Sequence, residues 1–403
     1  MSARLCGSPS AIGEAWGAVN AVKIREHIGA FLEEWRGKGL TEDDLLQRAK
    51  RGNQIIERMA PHWREESDAI ARRAEINPDL YNAYLIGKYR NILSRECTSF
   101  AAVGEATGDG RPLFHKNRDN VDRWQAGYVK KTKVPREDIY GFVAVGDVSD
   151  TGVMMMVNEK GLAGSADTGT ADPRWFGEGL MNPYGLRYIA EKAETCEQAL
   201  STIIWMTEDR LYAGGALQTN WLFVDASGTA LRVVNANEEI VDYQFVHSGV
   251  LLNYEREGLR SLLDGNVGRI DGRLMRRASR LPSVSLDSTI CAMTAEIEPD
   301  RPAEMTCAWI ALGNPSECPY VPMLMAADET PQEMLDGMLY HLSRSWQIFG
   351  FHIQQSELMA AADLDRLRTV RRNLAAHANE CVLQNAARVR RLFHGVPADR
   401  RSP

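Results

Sequence analysis

The sharpest constraint on this chain is a change of texture at residue 97. Before it, apolar residues recur at helical spacing, with Val22, Ile24, Ile28, Phe31, Leu32 and Trp35 marking one stripe. Thr41 followed by Asp44 predicts a capped start for a helix carrying Leu45, Leu46, Ile55 and Ile56. Asn77-Pro78 sets a capping side chain before a first-turn proline, and the helix after it should run through Leu80, Tyr84 and Leu85. No strand signal precedes Cys97. From there to about Ala326, short apolar or alternating runs are broken by Gly, Asp and Asn, as in Gly141–Gly146, Gly152–Gly161 and Asn220–Gly228 followed by Thr229–Val234. Such runs predict antiparallel strands and hairpins, interrupted by one helical stretch at about Tyr184–Met206.

Beyond Thr330 the chain returns to helix. Thr330-Pro331-Gln332-Glu333 offers a capping threonine, a first-turn proline and a glutamate at the third helical position. Leu364, Leu367, Val370, Leu374 and Cys381 mark a second amphipathic stripe. Helices, then strands, then helices predict α+β layers rather than alternating βαβ units.

A formal net charge of -7 gives no broad attraction for nucleic acid or anionic membrane. The one basic concentration, Arg388, Arg390, Arg391, Arg400 and Arg401, reads as a solvated tail. No apolar stretch reaches the ~18 residues of a membrane span, and MSARLCGSPS lacks the apolar core of a secretory signal. The seven cysteines, odd in number and scattered, suit free thiols in a reducing compartment. A cytoplasmic protein is the expectation.

The chemistry points to the junction itself. Arg95-Glu96-Cys97-Thr98-Ser99-Phe100 places a thiol where helix gives way to strand. If the Glu96–Cys97 bond is broken, one residue holds both a nucleophile and an α-amino group of pKa about 7.7–8.0, which can act as base for its own thiol. No separate catalytic histidine is then needed. Other signatures fail, with no Cys-x-x-Cys, His-Glu-x-x-His or Gly-x-x-x-x-Gly-Lys present. Cys291, Cys307 and Cys318 are too widely spaced for a ready zinc site and read as core thiols, and Met154-Met155-Met156 as a buried strand.

Cys97-Thr98-Ser99-Phe100 followed by Phe114-His115-Lys116-Asn117-Arg118-Asp119 resembles the opening of the cysteine N-terminal-nucleophile (Ntn) hydrolases. The group includes the acyl-CoA:6-aminopenicillanate acyltransferases, choloylglycine hydrolases and acid-ceramidase-like amidases. Gly7-Ser8, Gly13-Glu14, Trp16-Gly17 and Asn77-Pro78-Asp79-Leu80 are similar to the start of the acyltransferase branch. Val157-Asn158-Glu159-Lys160-Gly161-Leu162, Thr219-Asn220-Trp221 and Trp309-Ile-Ala-Leu-Gly-Asn-Pro follow in the family's order, so the resemblance spans roughly residues 5–325.

Residue by residue, the resemblance implies that Cys97 forms a thioester, Asp119 orients the new α-amino group, and Asn220 is the oxyanion-hole amide. It implies a supporting arginine at Arg273, with Arg269 and Arg276 as rivals, and substrate contacts from Asn158, Lys116 and His115. Some branches carry arginine where Lys116 stands, which turns a bidentate fork into a point charge. Glu96, before the cleavage point, either assists the N-to-S acyl shift or is simply exposed.

The fold it implies is a four-layer αββα sandwich of two antiparallel sheets with outer helices. Residues 1–96 would form a helical propeptide or α subunit that stays bound, 97–329 the catalytic core, and 330–403 a C-terminal helical extension. The implied activity is hydrolysis or transfer of an acyl group of a small amide, without metal or redox cofactor. Coenzyme A thioesters enter as donors by resemblance alone, which leaves an acyl-CoA-dependent N-acyltransferase of natural-product biosynthesis as an alternative. The remaining alternative is an uncleaved, non-catalytic scaffold; a homo-oligomer is compatible with any of these.

Overall fold

A computed structural model describes residues 2–3, 5–88, 97–120, 126–131, 134–171, 179–212, 217–236, 238–327 and 330–348. Strand β1 (Ser2–Ala3) leads into helices α1 (Pro9–Gly37), α2 (Glu42–Met59), α3 (Pro61–Arg73) and α4 (Pro78–Gly87). Thr41 and Asp44 close a reciprocal capping box, and Asn77 accepts from the amides of Asp79 and Leu80. Gly13 is what lets α1 cross α3 so closely: a Cβ there would lie 2.2 Å from the Glu66 carbonyl oxygen.

Strands β2 (Thr98–Val103), β3 (Leu113–Asp119), β4 (Ala126–Lys131), β5 (Phe142–Asp147), β6 (Met155–Asn158) and β7 (Ala163–Ala171) follow. Helices α5 (Asn182–Lys192) and α6 (Cys196–Glu208) come next, then β8 (Leu217–Val224), β9 (Ala230–Asn235), β10 (Ile240–Val246) and β11 (Gly249–Leu252). The chain continues through α7 (Leu259–Asp264), α8 (Gly272–Ala278), β12 (Thr289–Glu296), α9 (Pro302–Met305), β13 (Cys307–Ala311) and β14 (Val321–Leu324). It closes with β15 (Thr330–Pro331), α10 (Gln332–Leu335) and α11 (Met338–Ile348).

Two antiparallel sheets stack face to face. One runs β10-β9-β8-β7-β6-β5-β4 and the other β11-β2-β3-β12-β13-β14. β2 and β3 lie against β7 and β8, α5 and α6 cover the first sheet, and α8 covers the second. This is the four-layer α+β sandwich expected. Among the described residues no helix is long and apolar enough to cross a membrane.

Three local expectations need correction. The helical stretch at 184–206 is two helices, because Thr195 caps α6 and ends the run. Thr330-Pro331 does not cap a helix but pairs with Ser2–Ala3, so a short strand precedes Cys97 after all, and α10 begins at Gln332. The short helices α7, α8 and α9 carried no legible periodicity. The amphipathic stripe from Leu364 to Cys381 and the arginine-rich tail lie outside the described residues.

Candidate active site

The inner strands β2 and β3 are buried along their whole length, so every polar side chain they carry must find a partner inside. Alternation along the strands divides those side chains between the two faces. Ser99 and Lys116 stand opposite each other in the register and point between the sheets. Ser99 Oγ lies 2.9 Å from both Ser165 Oγ and Asp167 Oδ1 on β7.

Cys97 immediately precedes β2 and is only 6% exposed. Its φ is 134°, a left-handed conformation that L residues rarely adopt, and one costing of order 1–3 kcal/mol. Arg256 grips the backbone at this point, donating from Nη2 to the Cys97 carbonyl at 3.2 Å and from Nε to Thr98 Oγ1 at 3.0 Å. Burial pushes the Cys97 thiol up to about 11; the Lys116 ammonium opposes that shift, while Asp167 and Asp119 add to it. The Asp119 backbone N–H also acts to favour the thiolate. Asp119 itself, at the end of β3, accepts a hydrogen bond from Thr289.

Asn220 reaches the same inter-sheet space from β8, in register with Asp167. Its Nδ2 donates to the Tyr254 hydroxyl, which in turn donates to the Thr168 carbonyl at 2.8 Å. Asn253 Nδ2 ties the Asn220 carbonyl to Asp167 Oδ2, at 3.1 Å from each. Cys97, Asp119 and Asn220 are thus gathered on facing strands with Lys116, Asp167, Ser99, Asn253 and Arg256.

Four expected contacts are placed differently. Lys116 is close to Cys97, yet its three donors are spent on Met154 O at 3.1 Å, Ala166 O at 2.8 Å and Asp167 Oδ1 at 2.9 Å. A fully buried, saturated ammonium has no donor left for a substrate. Burial works to lower its pKa, but Asp167 beside it raises it on balance, so it stays charged. His115 points to the opposite face of the sheet, bonded to Thr294 Oγ1 and Asn117 Oδ1 at 2.8 Å each, and burial lowers its pKa to about 3. It is a neutral core histidine.

Asn158 is likewise turned away. It donates to Ala190 O and Ala193 O at 3.0 and 2.7 Å and accepts from the amides of Lys160 and Leu162, which fixes the β6–β7 turn against α5. Arg273 sits on α8 in a cleft of about 190 Å³ with Arg111, Leu113 and Glu296. Leu113 and Glu296 pair at the end of β3 remote from Asp119, which separates Arg273 from Cys97. The arginine at Cys97 is Arg256. Glu96 lies outside the described residues.

Nothing local in the sequence marks Arg256, Asp167 or Asn253, and Ser99 stands in the Cys97 motif without a role attached. Each matters through a partner on a distant strand, and the only signal was a polar residue inside an otherwise buried run, as at Ser99 and Asp167.

No protein-family model matches this chain, and no curated protein does. Among solved structures it is similar to penicillin V acylase from Agrobacterium tumefaciens, at 16% identity over 57% of this chain and 86% of that one, with a TM-score of 0.36. An orthologue of N-acylethanolamine-hydrolyzing acid amidase from Caenorhabditis elegans aligns at 12% identity over 51% and 94%, with a TM-score of 0.37. A mutant conjugated bile acid hydrolase from Clostridium perfringens aligns at 12% identity over 60% and 94%, with a TM-score of 0.35. Likenesses this weak leave the chemistry to be argued from the chain's own residues.

Proposed function

We propose that this chain is a self-processing Ntn amidohydrolase whose nucleophile is Cys97. The observation that carries the reading is the state of Cys97 itself. It is a buried thiol at a strained junction, with its carbonyl held by Arg256. In the intact chain the thiol attacks the Glu96 carbonyl carbon, the peptide C–N bond breaks, and the acyl group passes to sulfur as a thioester. Water then hydrolyses the thioester, leaving a carboxylate on Glu96 and a free α-amino group on Cys97. Strain at Cys97 is relieved as the bond breaks, which favours cleavage there.

The freed amine becomes the base for the thiol beside it, and the Asp119 carboxylate is the group assigned to orient it. An amide substrate is attacked in the same way, with the amine protonating the leaving nitrogen and water resolving the thioester. Asn220 is the oxyanion donor; one of its two N–H bonds is directed to Tyr254, and such a positioned donor is worth roughly 10²–10³ in rate. Arg256 takes the supporting place that the sequence assigned to Arg273. Residues 1–96 form the retained α subunit, 97–329 the catalytic core and 330–403 its extension. The protein is assigned to the cytosol on its scattered cysteines, and the reaction requires no metal or redox cofactor.

Transfer to an amine, with a coenzyme A thioester as donor, uses the same intermediate and differs only in what reaches it. Purified protein is incubated with a panel of small N-acyl amides, beside Cys97→Ala, and free amine is measured. Release by the wild type alone supports hydrolysis. Equal, background release by both proteins contradicts it and favours an uncleaved scaffold.

A further inference from the structure

We propose that Asp167 is a positioning residue for the Cys97 reaction, fixing the Lys116 ammonium beside the thiol so that the two charges act as one buried unit. This rests on the reading of Cys97 as the nucleophile. Both members are fully buried, and all three Lys116 donors are spent. Asp167 Oδ1 takes Lys116 Nζ and Ser99 Oγ, each at 2.9 Å, while Oδ2 takes Asn253 Nδ2 at 3.1 Å. The remaining Lys116 donors go to two backbone carbonyls, Met154 O and Ala166 O, which cannot move independently of the sheet.

The arrangement joins the two sheets at the reacting end. Lys116 belongs to the strand paired with the nucleophile strand, and Asp167 to the strand paired with the one bearing Asn220. Asn253, which holds Asp167 Oδ2, also holds the Asn220 carbonyl. A shift of the carboxylate would therefore displace the cation on one side and the oxyanion wall on the other.

The charged and titratable groups facing Cys97 are Lys116, Arg118 and Asp119 on β3, Asp167 on β7, Arg256 after β11, and Cys291 on β12. Arg118 is committed to Asp147 at 2.7 Å. Lys116 stands opposite Ser99, two residues along the strand from Cys97, which sets its ammonium on the thiol's side of the sheet, and of the pair it acts the more strongly on the thiol.

A buried ion pair is also what a purely structural role would look like, and removing one partner alone is expected to destabilise the fold. The test therefore removes both charges in Lys116→Met/Asp167→Asn and compares the rate of Cys97 alkylation by iodoacetamide from pH 7 to 9.5, below the midpoint, where the rate follows the thiolate fraction. The thiolate is the reacting species. The double variant should melt cooperatively, yet alkylate roughly tenfold more slowly throughout that range, the fold-change that a rise of about one pH unit in the thiol's midpoint produces. A folded double variant with the wild-type alkylation rate would overturn the proposal.

If the double variant does not fold, the wild type decides. Protein labelled with ¹³C-lysine should show the Lys116 ε-methylene resonance stepping at the alkylation midpoint of Cys97, with no step once the thiol is capped by methyl methanethiosulfonate. A flat Lys116 resonance through that midpoint overturns the pairing. Cleavage places an amine beside the thiol, so wild type and variant are compared in the same cleavage state, checked by intact mass; a chain that stays intact but shows the coupling keeps this inference and loses only the processing claim.

Discussion

Arg256, half-buried, and Asn158, fully buried, show how differently two polar side chains can serve one fold. Arg256 spends two donors on the Cys97–Thr98 backbone, at the one strained residue of the site. Arg256→Ala should slow the appearance of cleaved chain by roughly ten- to a hundredfold, the value of a charge-assisted hydrogen bond of about 1.5–3 kcal/mol, as followed by gel densitometry after expression. Asn158 instead serves four backbone groups on the outer side of the other sheet. Asn158→Ala should lower unfolding stability by about 2–3 kcal/mol in urea while leaving the Cys97 alkylation rate unchanged; a selective loss of alkylation in a stable Asn158→Ala protein would return it to the site.

His115 adds a pH dependence with a definite sign. Its folded pKa, about 3, lies below the unfolded value of 6.5, so below pH 6.5 the unfolded chain binds a proton that the folded chain refuses. Stability is therefore fully present above pH 6.5 and drains as pH falls toward 3, by up to about 1.4 kcal/mol per pH unit from this residue. His115→Phe should show a flatter stability curve than wild type between pH 6 and 4 in chemical denaturation. Equal slopes would mean that His115 titrates normally. That Cys97, Asp119 and Asn220 come together was legible because they sit in short ordered motifs; their roles belong to the proposal. Lys116 was legible as a residue but not as a role, because only its saturation by three acceptors excludes substrate.

At the level of elements, what could be read was what is local. The Thr41 and Asn77 caps, the β5–β6 and β8–β9 hairpins and the long helix α1 are each specified within a few residues. The β1–β15 pairing joins residues more than three hundred positions apart and left no trace in either segment. Helices of four to seven residues, such as α7, α8 and α9, are too short to show a period. The α1–α3 crossing yields a prediction at this scale. Gly13→Ala drives a methyl into the Glu66 carbonyl and the Ala69 methyl, so the helices must separate at a cost of about 1–3 kcal/mol. In urea the helical layer should then melt earlier than the sheets, seen as a first transition in far-ultraviolet circular dichroism; a single unshifted transition would show that the crossing tolerates the methyl.

Over the whole molecule, the two sheets bring β2, β3, β7 and β8 together so that one chain junction meets a cation, a carboxylate and an amide from strands far apart in sequence. The four layers explain why Cys97 is buried and held, and the proposal that it cleaves its own chain explains why it is strained. Intact mass under denaturing conditions tests this most directly, with wild type and Cys97→Ala measured side by side. The account predicts two wild-type fragments that meet at Glu96 and Cys97, and one full-length chain for the variant. A single full-length species in both, or the same cleavage in both, would contradict it.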